Sequence, residues 1–139
     1  MEKVILIGIG VSEESLDELS ELVKTAGGQE AGRMVQTRDS AQAGTYFGSG
    51  KLVELSEMVE ERGATGVVCD DELTPAQLRN MEQALQTKIM DRTLVILDIF
   101  AARAATAEGK IQVELAQLKY RLTRLVGLRD SLSRLGGGI

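Results

Sequence analysis

Short aliphatic runs and longer segments with apolar residues at three- and four-residue steps take turns along this chain. Residues 3–8 are almost all aliphatic, which predicts a strand buried on both faces. Ser12 then offers an N-cap, and Glu13 and Glu14 favour a first helical turn. Leu16, Leu19, Leu22 and Val23 recur on one helix face until Gly27-Gly28 stops it. Residues 30–37 predict a second strand, weakened by Gly32 and Arg33, and the polar stretch 38–44 a loop. A helix over 50–62 carries Leu52, Leu55, Met58 and Val59 on one side, with Gly63 beyond its end. Residues 66–69 predict a third strand. Thr74, Pro75 and Gln77 make a capping-box start for a helix ending near Gln86, and 88–90 form a short fourth strand. Strands alternating with helices of ~10–15 residues imply a parallel sheet with right-handed crossovers, which short connections order as 2-1-3-4.

After Asp91 the rhythm changes. Leu94, Leu97, Ala101 and Ala104 step along one helix, and Glu108-Gly109-Lys110 interrupts it. Ile111, Leu115, Leu118, Leu122 and Leu125 follow at heptad spacing. Two such stripes joined by a few residues predict an antiparallel hairpin. The predicted fold class is therefore α/β, a four-stranded parallel sheet flanked by helices and followed by a two-helix antiparallel hairpin. The predicted division gives residues 1–91 to the α/β domain, 92–135 to the hairpin, and 136–139 to the start of a glycine-rich linker. Ending in Gly136-Gly137-Gly138-Ile139, the chain reads as a piece of something longer.

Composition narrows the chemistry. At 139 residues the chain has the size of one ordinary domain and needs no disulfide or metal staple. No histidine is present, which removes Cys–His dyads, Ser–His triads and histidine-rich zinc sites. The one cysteine, Cys69, sits in an apolar strand and reads as a small buried hydrophobe. No apolar run approaches the ~18 residues of a membrane-spanning helix, and residues 4–8 are too short for a signal peptide. A cytoplasmic protein without membrane contact is expected. The net charge of −5 conceals a division. Residues 1–91 hold eight basic and seventeen acidic side chains, a charge of −9, whereas residues 92–139 hold eight and four, a charge of +4.

Four places carry candidate chemistry. Gly8-Ile9-Gly10 lies between a strand and a helix, but Glu13 occupies the third glycine position of a dinucleotide fingerprint, so a tight turn is expected. Gly48-Ser49-Gly50-Lys51 resembles a phosphate cradle at a helix start. Thr45 and Leu52 stand where a P-loop needs glycine and Ser or Thr, so hydrolysis of GTP or ATP there is not expected. Anion binding by its amides and Lys51 stays open, with Tyr46 either stacking on a base or packing inward. Asp70-Asp71-Glu72 at the carboxyl edge of the sheet supplies oxygens for Mg2+, or simply solvates a loop before a helix, and the second is the expectation. The hairpin displays Arg103, Lys110, Lys119, Arg121, Arg124, Arg129 and Arg134, with Lys110, Gln117, Arg121 and Arg124 on one stripe. Contact with RNA phosphates and a solvated coiled-coil face both fit that spacing.

Several strings decide among these options. Thr45-Tyr46-Phe47-Gly48-Ser49-Gly50-Lys51, Asp70-Asp71-Glu72-Leu73-Thr74-Pro75, Asp91-Arg92-Thr93 and Leu97-Asp98-Ile99-Phe100 occur in order. Glu108-Gly109-Lys110-Ile111-Gln112-Val113-Glu114-Leu115-Ala116-Gln117-Leu118 follows, with Leu122 and Arg124-Leu125 beyond it. Together these resemble the HflX family of ribosome-associated GTP-binding proteins across essentially the whole chain. The resemblance implies an N-terminal domain and helical linker, with a GTPase domain that binds GTP and Mg2+ lying downstream in the same protein. It further implies binding to the large ribosomal subunit and its RNA, as part of a GTPase that splits or rescues ribosomes. By the same likeness the tip around Arg103 to Gln112, with Thr106, Glu108, Gly109 and Lys110, reaches ribosomal RNA, and Arg103, Lys110, Arg121 and Arg124 are expected to meet phosphates. An ATP-dependent activity attributed to the N-terminal region of some members points to Thr45, Tyr46, Gly48, Gly50 and Lys51. Ala105 and Ala107 stand where relatives commonly have arginine, and Ser49 where they have lysine. No catalytic residue, metal ligand or cofactor is expected within these 139 residues. Two alternatives remain: a nucleotide-binding domain built on residues 48–51, and a dimerisation module using the heptad stripe.

Overall fold

A computed structural model describes residues 2–37 and 41–135, with side chains described through Tyr120 and at Leu122. Arg38, Asp39, Ser40 and the predicted linker at 136–139 lie outside the described residues, as do the side chains of Arg121, Arg124, Leu125, Arg129 and Arg134. Parallel strands β1 (Lys3–Ile9), β2 (Gln29–Gln36), β3 (Gly66–Cys69) and β4 (Lys88–Asp91) pair in the order β2-β1-β3-β4, as the crossover argument predicts. The chain moves one way from β1 to β2 and the other way from β2 through β3 to β4. Crossovers of a single hand therefore put α1 (Glu13–Thr25) on one face and α2 (Ser49–Arg62) and α3 (Pro75–Leu85) on the other.

The unbroken aliphatic run of β1 divides between two cores by strand alternation. Ile5 and Ile7 meet Leu52, Leu55, Val59, Met81 and Leu85 on the face of α2 and α3. Val4 and Leu6 meet Leu16, Leu19 and Val23 of α1 on the opposite face. Burial of such side chains stabilises by about 1.5–3 kcal/mol each before entropy is counted. The predicted caps hold. The Ser12 hydroxyl accepts from Ser15 N, and Thr74 and Gln77 exchange hydrogen bonds across a capping box. Helix α4 (Arg92–Arg103) is part of this framework, with Leu94, Val95 and Ile99 completing the core beside α1.

Helix α5 (Ala107–Leu135) packs antiparallel to α4 and also lies against α3. Gln117 meets Asp98 and Tyr120 meets Asp91, so positions rising along α5 face positions falling along α4. Two expectations are corrected here. The break between the helices falls at residues 104–106 rather than at Glu108-Gly109-Lys110, because Thr106 caps α5: its Oγ1 accepts from Gly109 N at 2.9 Å and its carbonyl from Lys110 N at 3.0 Å. Gly109 thus sits in a capped first turn, where it is tolerated. The heptad stripe, moreover, is not the seam of the hairpin. Ile111, Leu115, Leu118 and Leu122 are 56%, 50%, 52% and 46% exposed, while Gly109, Val113, Gln117 and Tyr120 are the half-buried positions among the described residues of α5.

Candidate functional site

The carboxyl edge of the sheet between β1 and β3 is where the strand order reverses, and such switch points are the usual ligand crevice of open α/β folds. Here that crevice is filled from within. Tyr46, on the loop between β2 and α2, is 2% exposed and adopts a left-handed φ of 66°. Its hydroxyl accepts from Ile9 N at 2.9 Å and donates to the Asp71 carboxylate, tying the ends of β1 and β3 together. Burial, joined by the neighbouring Cys69 and Asp71, pushes the phenol well above its ordinary range. Phe47 is fully buried next to it. Gln77 Nε2 donates to Gln42 O at 2.9 Å and Asn80 Nδ2 to Gly44 O at 2.8 Å, so α3 holds the rest of the loop. Tyr46 therefore packs inward, and base stacking on it is ruled out in this conformation.

The remaining loop residues behave differently. Thr45 Oγ1 donates to Phe47 O at 2.7 Å. Gly48 is the N-cap of α2 and makes no side-chain cap, and Ser49, Gly50 and Lys51 form a first turn without an acidic residue. Gly8 and Gly10 make the tight turn that was expected: a Cβ on Gly8 would lie 2.4 Å from Val11 Cγ2, and Gly10 has a φ of +65°.

The acidic triplet is dispersed among separate partners. Asp70 accepts from Ser15 Oγ at 2.7 Å and pairs with Arg92 at 2.5 Å, while Arg92 also holds Glu18 at 2.9 Å. Burial opposes the charge on Arg92, yet Asp70 and Glu18 outweigh it and raise its pKa. Asp71 serves Tyr46. Among the described residues no group of three His, Cys, Asp or Glu is placed to hold a metal ion. Asp91 is fully buried and accepts hydrogen bonds from Leu73 N, Leu94 N and the Tyr120 hydroxyl. Sequence reasoning missed the Asp70–Arg92–Ser15 and Asp91–Tyr120 knots. The available signals were the aspartate ahead of the apolar run of α4 and the lone tyrosine of α5.

The bend between α4 and α5 gathers most of the predicted contact residues. Arg103 ends α4, and Thr106, Glu108, Lys110 and Gln112 follow it in exposed positions. Gly109 is half-buried, and a Cβ there would lie 3.0 Å from Thr106 Oγ1. Arg121 and Arg124 lie on α5 but outside the described side chains, and Arg121 is ~16 Å along the helix from Lys110 at ~1.5 Å per residue. Gln117 leaves the proposed basic stripe, because its amide donates to Asp98 at 2.7 Å within the seam.

The class of protein this fold defines is a three-layer α/β domain with a helix docked beside it and its switch-point crevice filled by its own tyrosine. Known families agree. The model described as GTP-binding GTPase N-terminal matches residues 13–101, and GTP-binding GTPase Middle Region matches residues 103–139. The GTPase HflX of Lacrimispora saccharolytica is 62% identical over 143 residues, covering 99% of this chain and 34% of that protein. The GTPase HflX of Escherichia coli K12 is 42% identical over 142 residues, covering 99% of this chain and 33% of that protein. A GTP-binding protein from the archaeon Sulfolobus solfataricus, solved in complex with GDP, superposes with a TM-score of 0.76 at 27% identity, over 94% of this chain and 40% of that one. The chain belongs to the HflX family of GTP-binding proteins and matches the family's N-terminal and middle regions. It spans about a third of the length of the curated relatives it matches. Among the described residues no helix is long and apolar enough to cross a membrane.

Proposed function

We propose that this chain is the recognition part of an HflX-type GTPase that binds the large ribosomal subunit through the bend between α4 and α5. The observation that carries this reading is the exposure, in one stretch braced by a rigid body, of Arg103, Thr106, Lys110 and Gln112. Glu108 and Gly109 lie in the capped first turn beside them, where Gly109 N donates to Thr106 Oγ1. Charge supports the same orientation. Residues 92–139 carry +4 and residues 1–91 carry −9, so a polyanion attracts the helical end and repels the body. Arg121 and Arg124 extend the cationic track along α5. GTP and Mg2+ belong, in this reading, to a GTPase domain of the same protein, which acts in the cytoplasm to split or rescue ribosomes.

Co-pelleting with purified large subunits across a salt series tests the proposal. Binding that falls with salt and weakens in Arg103→Ala with Lys110→Ala is expected. Failure of the parent chain to bind at low salt overturns it.

A second reading, nucleotide binding at residues 45–51, draws support from the first turn of α2, which lacks a side-chain cap and carries Gly48, Gly50 and Lys51. Thr45 and Tyr46 would contribute through the backbone only, since Tyr46 is buried. ATP binding that disappears in Lys51→Ala would favour it, and unchanged binding in that variant would remove it.

A further inference from the structure

We infer that Arg92 is a positioning residue that sets the direction of α4 on the α/β body, and through α4 the place of the bend. Its functional weight rests on the reading of that bend as the contact with the large ribosomal subunit. Strand β4 ends at Asp91 and α4 begins at Arg92, so strand passes into helix without a connecting loop. Leu94, Val95 and Ile99 hold α4 in the core beside α1, but apolar burial is non-directional and tolerates rotation and sliding. The guanidinium of Arg92 supplies direction. Nε and Nη2 converge on Asp70 Oδ1 at 3.0 and 2.5 Å, and Nη1 reaches Glu18 Oε1 at 2.9 Å. Nη2 also donates to Ser15 O at 2.9 Å and to Ser15 Oγ at 3.2 Å.

The chief acceptor is itself fixed. The Asp70 side chain is 6% exposed, its Oδ2 accepts from Ser15 Oγ at 2.7 Å, and its backbone N donates to Ile7 O at 2.9 Å. One planar cation therefore ties the first turns of α1, the end of β3 and the first residue of α4. A lysine ammonium, a single point charge, does not reproduce that spread of donors. Helix geometry gives the tie its leverage. Arg103 lies ~16 Å along α4 from Arg92 at ~1.5 Å per residue. A tilt of about 10° at Arg92 moves the far end by about 3 Å, a full hydrogen-bond length. Because the charge of Arg92 is engaged within the body, its role is to place the cations of the bend, not to add one to them.

Two measurements on the 139-residue chain test this, at a temperature where circular dichroism shows every variant folded. In the first, spin labels on Glu57→Cys and Ala105→Cys report the distance from body to bend; Cys69 is buried. Arg92→Lys, which keeps the charge, is expected to shift or broaden that distance by about 3 Å. An unchanged distance overturns the inference whether or not the chain binds ribosomes. In the second, co-pelleting with large ribosomal subunits compares the parent with Arg92→Lys and Asp70→Asn. Both variants should bind about tenfold more weakly, the effect of one charge-assisted hydrogen bond lost, with the parent's salt slope retained. Asp70→Asn separates the accounts by sign. Removing an acidic charge tightens binding to a polyanion if charge alone matters, and weakens it if orientation does. Parent-like binding by Arg92→Lys, or tighter binding by Asp70→Asn, overturns the inference. Ser15→Ala, which deletes one hydroxyl of the knot, takes the place of Asp70→Asn should that variant not fold, and weaker binding is expected of it too. If the parent itself does not bind, the ribosomal reading falls, and a shifted label distance still supports Arg92 as the residue that orients α4.

Discussion

At the scale of single residues, three buried groups carry consequences disproportionate to their size. Cys69 is buried, and that burial pushes its thiol up to about 12 from 9.0. Tyr46 moves in the same direction, also chiefly through burial. Both groups are therefore neutral in the folded chain at pH values where the unfolded chain has begun to lose their protons. Stability from these groups is complete below about pH 9 and is lost as pH rises towards 12, with a limiting slope of about 1.4 kcal/mol per pH unit for each proton. Chemical denaturation between pH 8 and 11 should show midpoints falling steadily above pH 9. Asp91 is the third. Asp91→Ala removes the cap of α4 and the carboxylate that accepts from Leu73 N and the Tyr120 hydroxyl. A loss of about 3 kcal/mol, or roughly 10 °C in melting temperature, is expected.

Elements divide into those built by apolar periodicity and one positioned against it. Helices α1 and α2 bury most of the stripe that sequence spacing predicts, whereas α4 buries Leu94, Val95 and Ile99 instead of the predicted Leu94, Leu97, Ala101 and Ala104, because it packs beside α1 on one side and α5 on another. Helix α5 carries its strongest stripe on the outside. Parallel mutations should separate the two cases. Leu94→Ala, in the core beside α1, is expected to cost about 2–5 kcal/mol, whereas Leu118→Ala should change stability by less than about 0.5 kcal/mol. Urea denaturation of both variants checks this, and a large cost at Leu118 would contradict the outward orientation. Thr106 is the local determinant of where α5 begins. Thr106→Ala should weaken the cap by about 1 kcal/mol and accelerate exchange at Gly109 N, which loses its Oγ1 acceptor.

For the whole molecule, the separation of charge between an acidic body and a basic helical end sets the expected salt response. If the bend meets phosphates, removal of Arg103 or Lys110 should reduce the dependence of log affinity on log salt by about one unit each. A cation that contributes only to the fold would leave that slope unchanged. The comparison therefore distinguishes RNA contact from a solvated basic face, the ambiguity that spacing alone leaves open.

Much of this arrangement was legible in the amino-acid order, because its causes are local. Ser12, Thr74 and Pro75 announce helix starts through hydrogen bonds spanning three residues, and the run at 4–7 announces a strand covered on both faces. Parallel strands joined by short helices then admit few topologies, which is why β2-β1-β3-β4 could be anticipated. The long strings shared with HflX proteins marked the family for the same reason, being contiguous. Tertiary structure alone decided what depends on partners distant in sequence. Tyr46 meets Ile9 and Asp71 across 37 and 25 residues and fills the crevice at the switch point of the sheet. Asp70 and Arg92 pair across 22 residues, and Asp91 and Tyr120 across 29. The face that α5 presents to the body was likewise beyond the sequence. A heptad stripe states that a helix has an apolar side but not what that side meets, and among the described residues it is Gln117 and Tyr120 that reach Asp98 and Asp91.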